Sequence, residues 1–243
     1  MDINLIIGAL GQEVSGALSL LKIKSKTRQG NAVIYRCSYE SKIFWVLKTG
    51  MGRKNTAEAF KFLLNMMDSN SIVVAFNTGF CGATSKNFEI GDILSYSKIK
   101  SLDTTYGNIV EKDEINLRKI ENNIPVEVTG GTTEYLTNDK ALKEKILKHT
   151  GVQAVDMESY YIAKLMAKKN INFQVLRVVS DTLENNFPGF FMDFSLGNNI
   201  SGIINLFKFI LNPRNIKKMH RVIKNIKIAK KSLNKTVKLL VLH

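Results

Sequence analysis

The sequence predicts an α/β fold, a three-layer sandwich in which helices flank a central mixed sheet. Three observations carry this expectation. Short runs rich in β-formers, among them residues 72–76 and 173–179, alternate with helical patterns such as residues 56–67. The runs are nearly continuous in apolar residues, as expected of strands covered on both faces. Glycines follow them (Gly50, Gly52, Gly79, Gly82, Gly130 and Gly131), which places tight turns at one sheet edge where backbone can come close to a ligand.

In chain order, residues 5–10 form an apolar run turning at Gly8 and Gly11, with a helix from Glu13. Residues 33–39 and 43–48 read as paired strands around Glu40-Ser41-Lys42. Thr49-Gly50-Met51-Gly52 then leads to the amphipathic helix 56–67. Strand 72–76 opens into Asn77-Thr78-Gly79-Phe80-Cys81-Gly82, and Gly91-Asp92 turns into a strand reaching about Ile99. Residues 100–125 are polar and loop-like, with a short helix near 113–120. Strand 126–129 ends in Gly130-Gly131, and helix 139–149 leads to Ala154-Val155-Asp156-Met157-Glu158-Ser159, the mouth of a helix running to Lys169. The last strand of this region, residues 173–181, ends in Ser180-Asp181.

With 243 residues, 44% of them hydrophobic, the chain has the size of one α/β domain with an appendage, drawn here as 1–198 and 199–243. Cys37 and Cys81 form neither a disulfide framework nor a metal-ligand cluster, so no metal is expected and a reducing cytoplasm fits. The chain moves from Met1 straight into a strand, without a signal-peptide pattern. Neither Gly-x-Gly-x-x-Gly nor a Walker motif occurs, so no dinucleotide or nucleotide cofactor is expected.

The net charge of +14 is unevenly placed. Beyond Asp193, the last acidic residue, lie eleven Lys/Arg; the other 24 against 21 Asp/Glu leave +3 for the rest of the chain. A nucleic-acid enzyme would carry its charge over the catalytic face, and no aromatic residue follows Phe209, so no nucleic-acid partner is expected. The apolar stretch from Ile203 to Leu211 is too short to span a bilayer. After Pro213 a long helix fits, with Ile216, Ile223, Lys230 and Val237 in one seven-residue column and Met219, Ile226, Leu233 and Leu240 in another. Such a basic helix can lie on an anionic membrane surface, pack on its own domain, or pair with a partner helix. The first reading makes the protein cytoplasmic and peripheral on the inner face of the membrane.

Glu158 and Asp181 are delivered to the carboxyl ends of strands, the edge where open α/β sheets bind ligands. Ordinary structural roles also suit them: a Glu at a helix N-terminus and an Asp closing a strand. Spacing alone leaves both readings open.

Taken in order, six pieces resemble the nucleoside phosphorylase/nucleosidase superfamily: Ile6-Ile7-Gly8-Ala9-Leu10-Gly11-Gln12-Glu13-Val14, Lys48-Thr49-Gly50-Met51-Gly52, Asn77-Thr78-Gly79-Phe80-Cys81-Gly82, Gly91-Asp92-Ile93, Val155-Asp156-Met157-Glu158-Ser159 and Arg177-Val178-Val179-Ser180-Asp181. The resemblance implies cleavage of a purine nucleoside at its N-glycosidic bond, through an oxocarbenium-like sugar. It implies Asp181 as the acid at the departing base, Glu158 and Met157 on the ribose, and Glu13 as the carboxylate that activates water in the methylthioadenosine/S-adenosylhomocysteine nucleosidase branch. Gly79, Phe80 and Ser180 complete the substrate-binding set. Purine phosphorylases have Arg and Ser where this chain has Asn77 and Phe80, and Glu13 puts negative charge where phosphate would sit; hydrolysis is therefore expected over phosphorolysis.

The chain departs from the nucleosidase pattern at Gly11 and Gln12, and in the loop that supplies a base-stacking Phe, where Tyr135 is the suggested replacement. Its arrangement also resembles the hopanoid-associated phosphorylases, which implies a lipid-linked adenosyl substrate such as adenosylhopane. Family members are commonly oligomeric, so a homo-oligomer is expected. The competing classes are a phosphate-dependent phosphorylase and a non-catalytic nucleoside-binding module tethered to membrane.

Overall fold

The computed structural model describes residues 2–117, 126–137, 139–184 and 213–242; of residues 106 and 213–219 it describes the backbone alone. Strand β1 (Ile3–Gly8) sits between β4 (Lys42–Lys48) and β5 (Ile72–Ala83), parallel to both. From β4 the sheet continues antiparallel through β3 (Ala32–Tyr39) to an edge strand, β2 (Lys22–Gln29). On the other side it closes on itself. Strand β10 (Asn172–Asp181) runs parallel to β5 and antiparallel to β6 (Ile93–Asp103). Then β6 pairs with β8 (Val126–Thr133), β8 with β9 (Ala154–Asp156), and β9 returns to β5. The mixed sheet is thus a five-strand ring with an open wing, and β7 (Val110–Asn116) adds to the outside of β6.

Period-2 alternation in the central strands sorts side chains into two cores. Leu5 and Ile7 of β1, with Trp45 and Leu47 of β4, face α2 (Gly52–Met66) and α4 (Ser159–Lys168), where Phe60, Leu63, Ile162 and Met166 are buried. Ile6, Phe44 and Val46 face the opposite layer, made by α1 (Gly11–Leu20) and a long C-terminal helix, α5 (Pro213–Leu242). A third small cluster joins Ile146 of α3 (Lys140–Thr150) to Leu102, Val152 and Val155.

The expected strand and helix order is present, with corrections that have physical reasons. The β5 strand runs through the glycines to Ala83, because β10 pairs with it as far as Gly82. Gly130 and Gly131 lie inside β8, not after it. A Cβ on Gly130 would meet the Tyr96 ring at 2.1 Å and one on Gly131 would meet Val152 at 2.8 Å, so these glycines admit core side chains and not a ligand. The wholly exposed β2 carries no apolar pattern and exists by pairing with β3. Val110–Asn116 is a strand where a loop and a short helix were expected; its pairing with β6 is laced by Lys98–Glu114 and Lys100–Glu111 bridges. The remainder of that expected helix, from residue 118, and the apolar segment from Ile203 to Leu211 lie outside the described residues.

The basic helix packs on its own domain. Val222, Ala229, Leu233, Val237, Leu240 and Val241 are buried, while Ile223 is 45% exposed. One column of the expected stripe therefore holds at Leu233 and Leu240; the other holds at Val237 but is shifted by one residue nearer the helix start, from Ile223 and Lys230 to Val222 and Ala229. At the crossing with α1, a Cβ on Gly16 would lie 2.5 Å from the Asn234 side-chain oxygen, so the two helices touch backbone to side chain. Among the described residues no helix is long and apolar enough to cross a membrane.

Candidate active site

The parallel strands β1, β4, β5 and β10 end at one edge, and their loops surround a cavity of about 630 Å³. Leu10, Phe80, Leu136 and Ile226 supply apolar wall; Glu13, Glu158 and Asp181 supply carboxylates. Met157 and Ser180 also line it.

Glu13 reaches the edge from the first turn of α1. Its Oε2 accepts from the backbone N–H groups of Ala9 at 2.7 Å and Leu10 at 2.9 Å, and Oε1 accepts from Phe80 N–H at 2.8 Å. Leu10 at the N-cap has no side chain to satisfy these orphan donors, so the carboxylate caps its own helix. Burial raises its pKa, against the pull of the Arg177 charge and the three amides. A carboxylate so placed is partnered on one side and open on the cavity side.

Glu158 stands at the start of α4 and accepts from Gly52 N–H at 2.7 Å. That amide is aimed by the turn after β4, which is fastened to the turn after β1 (Gly50 N–H to Ala9 O, 3.0 Å) and bends through positive φ at Gly50 and Gly52. Only glycine adopts such angles cheaply. Burial first, then the Asp156 and Glu13 charges, push the Glu158 carboxyl up to about 8.

Between these two lies a buried frame that sequence reasoning missed. Asp156 accepts from Glu158 N–H (3.0 Å), Ser159 N–H (2.9 Å), Thr132 Oγ1 (2.9 Å) and Arg177 Nε (2.9 Å), with Ser159 Oγ as a further donor. Arg177 also donates to Ser159 Oγ at 2.7 Å, and its charge is held by Asp156 and Glu13. One signal for it was available. An arginine in the middle of the apolar run Phe173–Val179 has to be buried, and a buried guanidinium requires carboxylate partners.

Gly79 does not line the cavity. It makes room for the frame, since a Cβ there would lie 2.6 Å from both Arg177 Nη1 and Glu13 Oε1. Asn77 is turned into the interior and donates to Ser159 Oγ at 3.2 Å. Asp181, at the end of β10, is 4% exposed; it is paired with Lys143 of α3 and accepts from Ser180 Oγ at 3.2 Å. Tyr135 is not brought to the wall. It is 44% exposed, and Leu136 lines the cavity instead, because the chain leaving β8 turns the tyrosine outward. Leu136 and Lys143 carried no sequence signal, being ordinary members of a loop and of a lysine-rich helix, and Ile226 was marked only as part of the apolar stripe of its helix.

A family model described as Phosphorylase superfamily matches residues 110–195. The aminodeoxyfutalosine nucleosidase of Campylobacter jejuni is 25% identical over 195 residues, 72% of this chain and 84% of that protein. A 5′-methylthioadenosine/S-adenosylhomocysteine nucleosidase from an Exiguobacterium species is 28% identical over 200 residues, covering 74% and 84%. Among solved structures, the futalosine hydrolase of Helicobacter pylori superposes with a TM-score of 0.68 at 18% identity, over 98% of this chain and 97% of that one. The methylthioadenosine/S-adenosylhomocysteine nucleosidase of the same organism, solved with butyl-thio-DADMe-Immucillin-A, gives 0.66 at 18% identity over 98% of both chains.

Proposed function

We propose that the chain is a member of the nucleoside phosphorylase/nucleosidase superfamily and that it hydrolyses the N-glycosidic bond of a purine nucleoside, with adenine as the base. The observation that carries this reading is the convergence of Glu13, Glu158 and Asp181 on one cavity at the carboxyl edge of the sheet. Asp181 delivers a proton to the departing base. Glu158 takes hydrogen bonds from the ribose hydroxyls, with Met157 against the sugar. Glu13, its carboxyl raised by burial toward working pH, draws a proton from the attacking water.

Water is favoured over phosphate as the nucleophile on electrostatic grounds. The guanidinium nearest the site is already held by Asp156 and Ser159, and Asn77 faces inward. An anion entering beside Glu13 would meet negative charge, with no arginine among the described residues lining the cavity to offset it.

The apolar wall at Leu10, Leu136 and Ile226 suits an apolar substituent on the sugar, including a lipid-linked adenosine such as the hopanoid resemblance suggests. Contact with an anionic membrane would use the outer face of α5, where Ile228, Leu239 and Leu242 are 39%, 42% and 44% exposed among lysines; co-sedimentation with anionic vesicles tests it. Homo-oligomerisation is proposed on family grounds and is read by analytical ultracentrifugation.

The deciding assay is adenine release from adenosine, 5′-methylthioadenosine and S-adenosylhomocysteine, each with and without phosphate. Free sugar without phosphate dependence is the expected result, with Asp181→Asn lowering kcat by about 10²–10⁴-fold while nucleoside still binds. Release only with phosphate would convert the reading to a phosphorylase. Binding without release by the wild-type protein would make it a nucleoside-binding module.

A further inference from the structure

Lys143 is a buried ionisable group in direct contact with Asp181 to which the mechanism above gives no role. It lies on α3, has a side chain 0% exposed, and its ammonium meets two oxygens, Asp181 Oδ2 and the Thr182 carbonyl at 3.3 Å. It approaches Asp181 from behind: Asp181 lines the cavity and Lys143 does not. On the cavity side Gly82 keeps the carboxylate uncovered, since a Cβ there would lie 2.7 Å from Oδ2. The neighbouring charged and titratable groups are otherwise occupied or uncharged. Asp156 belongs to Arg177, Cys81 is kept a neutral thiol by burial, and the Lys140–Glu184 pair sits at the surface.

Resting on the proposed function, we infer that Lys143 is a positioning residue that supplies the proton which Asp181 passes to the departing base. An aspartate locked to an ammonium carries no proton of its own, so the pair keeps its transferable proton on the lysine. As the bond between the sugar's anomeric carbon and the base nitrogen breaks, its electron pair goes to the base. The base takes a proton from the Asp181 carboxyl, and that carboxyl is supplied from Lys143 Nζ. The amine then recovers from solvent the proton released by the attacking water. Lys143 touches no substrate; it acts through Asp181.

The test compares two leaving groups on the full chain. Adenine needs protonation to depart, whereas 4-nitrophenolate from 4-nitrophenyl riboside does not. Lys143→Met is expected to lower kcat for adenine release about 100-fold while leaving nitrophenyl riboside hydrolysis within about threefold. For adenine release the double variant is no slower than Asp181→Asn alone, because the two residues form one unit. A loss that is equal on both substrates, or no loss on either, overturns the inference by reducing Lys143 to packing or to nothing. Should Lys143→Met not fold by circular dichroism, Lys143→Gln, which keeps a donor for Asp181 but has no proton to give, is read in the same way. If the wild-type chain cleaves neither substrate, the proposed function itself fails; if it cleaves both and selectivity is absent, only the role of Lys143 does.

Discussion

The β6–β7 ribbon and the carboxyl edge of the sheet handle charge in opposite ways. On the ribbon each carboxylate has its own lysine (Lys98–Glu114, Lys100–Glu111, Lys112–Asp103), and most of these side chains keep a third or more of their surface in water. At the edge, Glu13, Asp156, Glu158 and Asp181 are buried and share two cations, Arg177 and Lys143. Exposed pairs are screened and nearly interchangeable. Among the described residues the buried set is short of positive charge, and the shortage falls on Glu158, which faces the cavity and accepts from the Gly52 amide. Asp156, saturated with donors, is frame; Glu13 and Glu158, under-compensated, are the groups that chemistry can use.

The comparison can be broken hardest at Arg177. Arg177→Met removes the cation from Asp156 and Glu13 together and leaves buried charge unpaired; a loss of about 3–5 kcal/mol in urea unfolding is expected. A loss below 1 kcal/mol would show that the frame is not electrostatic.

Next comes pH. The folded Glu158 carboxyl, at about 8, lies above its ordinary value of 4.5, so the folded state binds the extra proton between those values. Its contribution is complete below about 4.5 and is lost as pH rises through 8. Thermal stability of the ligand-free protein should therefore fall across this window, by up to about 5 kcal/mol from this group. Glu158→Gln should flatten the slope, and an unchanged slope would place the charge shortage elsewhere.

Gly79→Ala presses a methyl between Glu13 and Arg177 and should cost about 1–3 kcal/mol, with kcat falling more than KM rises. The smallest effect belongs to the ribbon. Glu114→Gln should change stability by less than about 1 kcal/mol, as chemical denaturation would show.

The sequence revealed those parts whose local chemistry matches their tertiary role. Residues 173–181 are apolar because they are buried, and Glu13, Glu158 and Asp181 stand at strand or helix ends, on the sheet edge that carries the cavity. The features it hid depend on partners far along the chain. The strand β2 reads as a polar segment, since its only support is β3. Lys143 sits in a lysine-rich helix, and nothing local separates it from its exposed neighbours. The inward turn of Leu136 and outward turn of Tyr135 are set by the path out of β8. The one-residue shift in the α5 stripe follows from docking on α1 and β10, which no heptad count contains.

The clasp between Gly16 and Asn234 has a consequence for how the protein is made. On the ribosome α1 emerges well before α5, so Ile6, Val14 and Ala17 wait uncovered while the intervening chain is synthesised. Contacts this distant in sequence close late and slowly. The nascent chain therefore carries α1, with Glu13 in its first turn, before the helix that covers its outer face has been made.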